Sequence, residues 1–152
     1  VIGLEQDPGA VEIAFARAQA ENSNFLPLKF DAANPSPMQG WRETERMGFE
    51  ARGRFDAVLA LAVLHHMAIG RNIPLAQAVD WIIDRAEHGV IEFVPKSDPM
   101  AQELMALKGD LFDDYGEATF DAAVNARADI VSRHRVAGTD RILVRYSRRT
   151  GA

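Results

Sequence analysis

The pattern of apolar and polar positions divides the chain into alternating strands and helices. Residues 1–4 form a short apolar run that predicts a buried strand. Asp7 and Pro8 follow as a helix start, because Asp caps a helix well and Pro suits its first turn. Apolar residues then recur at helical spacing as far as Ala18, and a second strand is predicted over residues 25–30. The chain therefore opens with a β-α-β unit.

The longest apolar run lies in the middle of the chain. Residues 55–64 lack the alternation of a half-exposed strand, so they predict a central parallel strand covered on both faces. A further buried strand is predicted over residues 89–94. Helices are predicted from Pro74 to Gly89, from Asp98 to residue 107 and over residues 117–127. This alternation predicts an α/β fold with a parallel sheet.

The C-terminal part breaks the alternation. Strands are predicted over residues 129–136 and 141–146, and only residues 137–140 join them. Such a short connection allows antiparallel pairing but cannot form a parallel crossover. The sheet is therefore predicted to be mostly parallel with one antiparallel C-terminal strand, in a single domain over residues 1–152.

Composition narrows the classes of protein and partner. The net charge of −5 gives no general attraction to nucleic acid or to anionic lipid. The absence of cysteine excludes disulfides, thiolate metal sites and cysteine nucleophiles. No apolar run approaches the ~20 residues that a membrane helix needs. We therefore expect a cytoplasmic protein without a membrane partner, and a nucleic-acid partner is possible but not indicated.

The order of elements and three motifs resemble class I S-adenosylmethionine-dependent methyltransferases, whose Rossmann-like sheet ends in a reversed hairpin strand. The motifs are VIGLEQDP at residues 1–8, FDA at residues 30–32 and FDAVLALAVLHH at residues 55–66. The third motif, together with residues 91–96 and 110–115, looks most like methyltransferases related to the nodulation protein NoeA. The resemblance implies S-adenosylmethionine as the cofactor.

The resemblance also implies a cofactor site at the strand ends. Glu5, with Gln6 beside it, matches the acidic position that binds the ribose hydroxyls, and Asp31 with Ala32 matches the adenine-binding position. Ala62 lies in the motif whose end passes beneath the methyl donor. Chemistry supports the first assignment independently, because a strand-end carboxylate can accept two charge-assisted hydrogen bonds from a ribose diol.

One part of the family pattern is absent from the sequence. In nucleotide-binding sheets the glycine-rich loop precedes the ribose-binding acid by ~20 residues, so for Glu5 it would lie before residue 1. The sequence therefore predicts an N-terminally incomplete domain without its first strand and glycine-rich loop. Such a domain is expected to bind the cofactor poorly or not at all, and either to repair its sheet between chains or to close the gap with neighbouring strands.

Five residues are candidates for catalysis or substrate binding. Either His65 or His66 could act as a general base, since the ordinary histidine pKa near 6.5 suits proton transfer at neutral pH. Neighbours on a strand face opposite sides, so this pair does not predict a metal site. Glu92, Lys96 and Tyr115 are candidates for contact with a small-molecule methyl acceptor. The alternative for the histidines is a packing role only. For Glu92 and Lys96 it is a surface turn, and for Tyr115 it is a solvated loop.

Two other functions fit parts of the sequence. A nicotinamide-dependent oxidoreductase, using NAD or NADP, would also place an acid such as Glu5 on a ribose diol, although the reversed hairpin argues against it. A non-catalytic interaction domain would form a homodimer through an exposed sheet edge.

Overall fold

The computed structural model describes residues 1–106, 108–109 and 111–149 of the chain. These residues form two compact units, Val1–Arg52 and Gly53–Ala152, and each is described by itself.

The first unit is a β-α-β unit followed by short turns. Strand β1 (Ile2–Glu5) pairs in parallel with β2 (Leu26–Lys29), and helix α1 (Pro8–Ala20) connects them. Asp7 caps α1, because its Oδ1 accepts a hydrogen bond of 2.8 Å from the backbone N–H of Gly9. The prediction of a β-α-β start is confirmed. A 3-10 turn (Trp41–Glu43) and the short helix α2 (Phe49–Arg52) complete this unit.

The second unit is a four-stranded mixed sheet with helices. Its strands are β3 (Phe55–Ala60), β4 (Ala86–Phe93), β5 (Ala128–Arg135) and β6 (Ile142–Arg148). Its helical segments are a π turn (His66–Gly70), α3 (Leu75–Ile83), α4 (Pro99–Ala106) and α5 (Glu117–Arg127). The strand order is β3-β4-β6-β5, with β3 and β4 parallel and both pairs that involve β6 antiparallel. The mixed sheet with a reversed C-terminal strand is as predicted.

The prediction for residues 55–64 is wrong in two respects. Strand β3 ends at Ala60, and Leu64 lies buried in the helical turn that follows. Among the described residues β3 pairs with β4 alone, so it is an edge strand, and Leu59 is 69% exposed. The apolar residues of this run indicate a tendency toward burial. A central position in a sheet also requires a partner strand on each side, which the composition of one strand does not show.

The core of the second unit lies between the sheet and helices α3 and α5. One face of α3 is fully buried, which fits the helical spacing of its apolar residues. Phe93 stacks on Tyr115 and Phe120, with ring centroids 5.4 Å and 5.1 Å apart. Arg127 of α5 pairs with Asp80 and with Asp84 at the α3 end, which ties the two helices together at the surface. Each fully buried apolar side chain contributes roughly 1.5–3 kcal/mol.

Strand β4 requires a glycine where β3 and β6 approach it. A Cβ on Gly89 would lie 2.6 Å from the carbonyl oxygen of Val58 and 2.8 Å from Cε1 of Tyr146. We therefore expect Gly89→Ala to lower the free energy of unfolding by about 1–3 kcal/mol, because the flanking strand and ring must move. The control Gly70→Ala places its Cβ 3.8 Å from Leu104 and should cost less than about 0.5 kcal/mol. Urea denaturation measures both variants, and equal losses would contradict the account.

Candidate functional site

Glu5 lies at the carboxyl end of β1 with an exposed side chain. Its Oε1 accepts hydrogen bonds from the backbone N–H groups of Gln6, at 2.6 Å, and Asp7, at 2.9 Å. Within the described part of the chain, no hydrogen bond reaches Oε2. The carboxylate is therefore fixed in orientation by the start of α1 and keeps one oxygen that can accept from a ligand hydroxyl.

Asp31 lies at the same edge of the two-stranded sheet as Glu5. In the strand register Glu5 is opposite Lys29, and the backbone N–H of Phe30 donates to the Glu5 carbonyl at 2.8 Å. The two strands therefore end at the same level of the sheet. Asp31 follows directly, and its Oδ1 accepts from the N–H of Ala33 at 2.9 Å. Asp31 and Ala32 are half-buried. Sequence analysis placed these acids at strand ends, and the parallel register puts them on one edge.

In the second unit, Ala62 stands in an unusual backbone conformation just after β3. Its φ of +52° is in the left-handed region that favours glycine, at a cost of roughly 1–2 kcal/mol for other residues. The backbone N–H of Ala62 donates to Oε2 of Glu92 at 2.6 Å. A hydrogen bond to a charged acceptor offsets that cost, because it is about twice as strong as a neutral one.

Glu92 belongs to a buried cluster of charges. Arg141 lies 3.5 Å from its Oε1 and also binds Asp98, through Nε to Oδ2 at 2.7 Å and Nη2 to Oδ1 at 3.1 Å. The hydrogen bond from Arg141 lowers the pKa of Asp98 below its usual range. Asp98 also accepts from the N–H of Met100 at 3.0 Å at the start of α4. Both carboxylate oxygens of Glu92 are thus engaged inside the protein.

The two histidines occupy different environments within one helical turn. His65 is buried and His66 is exposed, and their ring centroids are 4.2 Å apart. The expectation that they face opposite sides of a strand is wrong, because the strand ends at Ala60. Burial, and after it the neighbouring His66 and Arg141, lowers the pKa of His65 to about 4. Neither ring nitrogen of His65 has a hydrogen-bond partner among the described residues.

Lys96 and Tyr115 complete the set of predicted site residues. Lys96 is half-buried in the segment after β4. The Tyr115 hydroxyl donates to the carbonyl of Val94 at 2.7 Å, and burial raises its pKa. Tyr115 therefore joins its loop to the end of β4 through its hydroxyl. Sequence analysis did not identify Arg141, because its partners lie more than 40 residues away along the chain and no local motif marks it.

Two negative findings apply to the described ranges. No group of three or more His, Asp or Glu side chains there is arranged to hold a metal ion. No helix of those ranges has both the length and the apolar character needed to cross a bilayer.

Comparison with known proteins identifies a relative. The chain is 47% identical over 147 residues to nodulation protein NoeA of Rhizobium meliloti (strain 1021). The chain is therefore homologous to a segment of NoeA. The match covers 97% of this chain and 31% of the relative, so the chain spans about a third of the relative's length. No protein-family model matches the sequence.

Two solved structures share the fold. The PH0226 protein of Pyrococcus horikoshii OT3 has a TM-score of 0.63 at 14% identity, over 98% of this chain and 71% of that one. A structure from work on the conversion of a disulfide bond into a thioacetal group during echinomycin biosynthesis has a TM-score of 0.56 at 17% identity, over 100% of this chain and 67% of that one. The predicted Rossmann-like α/β class and the predicted relation to NoeA are confirmed.

The buried His65 predicts a specific response of stability to acid. Its pKa is about 4 in the folded chain and 6.5 ordinarily, so the unfolded chain takes up the proton first as the pH falls. The free energy of unfolding should therefore fall as the pH drops from 6.5 to 4, by up to about 1.4 kcal/mol per pH unit. Urea denaturation between pH 7 and pH ~4.5 measures this slope.

His65→Leu should flatten the slope, because it removes the titrating group. Ile83→Val is the control, since it trims a buried apolar side chain and removes no titrating group, so it should lower stability by about 0.5–1.5 kcal/mol at every pH without changing the slope. A slope that stays the same in His65→Leu would contradict the assignment.

Proposed function

We propose that this chain forms part of an S-adenosylmethionine-dependent methyltransferase that acts on a small-molecule acceptor. The observation that carries the proposal is the placement of Glu5 and Asp31 at one edge of the parallel β1–β2 pair. Carboxylates at adjacent parallel strand ends suit the ribose hydroxyls and the adenine amino group of a nucleoside cofactor. The Rossmann-like fold and the homology to NoeA support it.

In this proposal the first unit binds the nucleoside part of the cofactor. In the first unit, Glu5 accepts from the ribose hydroxyls, with Gln6 beside it, and Asp31 with Ala32 binds the adenine. The cofactor, when bound, supplies a methyl group already activated by its sulfonium. The protein then has chiefly to align the acceptor and exclude water.

His66 is the general base of the proposed reaction. It is exposed, and it begins the π turn that follows the Ala62 loop. The His65 ring is uncharged at neutral pH, because burial lowers its pKa to about 4. Within the proposal His65 supports the turn, and His66 accepts the proton from the acceptor's nucleophilic atom. Glu92 positions the Ala62 loop, while Lys96 remains a candidate for acceptor contact.

The 152-residue chain is expected to bind the cofactor weakly. Its first unit has four glycines, and no two of them form the Gly-x-Gly spacing of a loop that would cradle the methionine part. Gly3 lies in β1 and Gly9 in α1, whereas Gly40 and Gly48 precede the 3-10 turn and α2. Without such a loop, binding relies on the strand-end acids.

A homodimer is a second candidate, favoured by the exposed edge of β3. Antiparallel pairing of two β3 edges would cover Leu59 and Leu61, which are 69% and 53% exposed. Light scattering at micromolar concentration should then give twice the monomer mass, and a monomer would exclude this candidate.

A nicotinamide-dependent oxidoreductase is disfavoured by the reversed β6 strand. Cytoplasmic location stays a prediction.

Cofactor binding is best tested by NMR, which detects weak complexes. We expect millimolar S-adenosylmethionine to shift the amide signals of Gln6 and Ala32 of the labelled chain. Glu5→Gln should weaken binding about tenfold, because it removes charge-assisted hydrogen bonds. Glu12→Gln, which changes an exposed acid of α1, is the matched control and should bind as the unmodified chain does.

Two results would contradict the proposal, and a third would contradict only the expectation of weak binding. Shifts confined to other residues, or none at all, would exclude the cofactor site. Equal shifts with NAD would favour the oxidoreductase. Micromolar affinity in calorimetry would contradict the expectation of weak binding.

A further inference from the structure

The second unit contains a cavity that is lined by its own residues. Its volume is about 530 Å³, within the range of roughly 300–1,000 Å³ typical of small-molecule sites. Ile73, Pro74 and Leu75 form much of its apolar wall, and Lys108, Asp114 and Tyr115 also line it. An apolar wall with a few polar groups is the usual composition of a ligand pocket.

Lys108 fixes the segment of residues 69–72 at one side of the cavity. Its ammonium donates to the carbonyls of Ile69, at 2.9 Å, and Gly70, at 2.7 Å, and to Oδ1 of Asn72, at 2.9 Å. These carbonyls belong to the end of the π turn, a helix form often found at functional sites. Asn72 itself has a left-handed φ of +58°. The cavity wall is thus a cross-linked and partly strained segment rather than a loose loop.

The polar groups of the cavity determine which ligand it suits. An ammonium has three N–H donors, and Lys108 uses all three within the protein. The Tyr115 hydroxyl is engaged by Val94. Asp114 is exposed, and its carboxylate has no partner among the described residues. The cavity therefore offers an unpaired, negatively charged acceptor beside an apolar wall.

We propose that this cavity binds a small amphipathic amine. The apolar body lies against Ile73, Pro74 and Leu75, and the ammonium donates to Asp114. The amide nitrogen of Asn72 is available to an oxygen of the ligand, because only its Oδ1 is used by Lys108. Identifying this amine as the methyl acceptor rests on the proposed function, whereas the binding of the amine does not.

The test uses 2-phenylethylamine as the probe, with phenylacetate as its anionic counterpart. Each is titrated into the labelled 152-residue chain without S-adenosylmethionine, and amide shifts report the site and the affinity. We expect the amine to shift Asn72, Ile73 and Asp114, and to bind at least about tenfold more tightly than phenylacetate, because Asp114 attracts one charge and repels the other.

Matched variants separate the proposed contact from general charge effects. Asp114→Asn should weaken amine binding about fivefold, since it removes an exposed charge-assisted contact. Asp113→Asn removes a neighbouring exposed acid that is not part of the cavity wall, and should leave affinity unchanged. Ile73→Ala should weaken the amine about threefold and phenylacetate equally, because it removes apolar contact only.

Equal binding of amine and anion, equal effects of the two Asp variants, or no shift at Asn72 would overturn the proposal. Because the titrations contain no cofactor, failure of S-adenosylmethionine to bind would leave this result intact. Amide shifts from the cofactor without any from the amine would overturn this proposal alone.

Discussion

The geometry of the second unit depends on the double ion pair that Arg141 makes with Glu92 and Asp98. These side chains come from the start of β6, from β4 and from the segment before α4, so one guanidinium joins three parts of the unit. Both acids are buried, and an unpaired buried charge costs several kcal/mol. Glu92, held in this way, accepts the N–H of Ala62 and supports its left-handed conformation. Arg141, directly before the reversed strand β6, thus holds Glu92, and Glu92 in turn fixes the loop after β3.

Arg141 of this cluster also acts on one of the two adjacent histidines. Arg141 contributes to the low pKa of His65, after burial and His66, so the buried ring is neutral under ordinary conditions. His66 is one residue further along the same turn and reaches solvent. Two adjacent residues of one type therefore have different environments, because one helical step turns one side chain inward and the other outward. The π turn that starts there also provides the carbonyls that Lys108 holds at the cavity wall.

The sequence was informative where a local pattern decides structure. The bounds of α5 match the prediction over residues 117–127, and the short connection before β6 correctly predicts an antiparallel strand. It was misleading for residues 55–64, because composition reports a tendency toward burial and cannot tell whether partner strands exist. Glu92 was predicted to contact a substrate, but its orientation depends on Arg141, a long-range partner that no local spacing reveals. The cavity beside Asp114 was likewise beyond prediction, because its walls come from segments far apart in the chain.

The central claim, that this chain carries a site for S-adenosylmethionine, is tested most directly by photolabelling. The chain is irradiated with the cofactor labelled in its methyl group, digested with trypsin and mapped, with S-adenosylhomocysteine as the competitor. The proposal predicts label in the peptides of residues 1–17, which include Glu5, or residues 30–42, which include Asp31, and loss of that label with the competitor. Label confined to the peptides of β5 and β6, or label that the competitor does not remove, would contradict it.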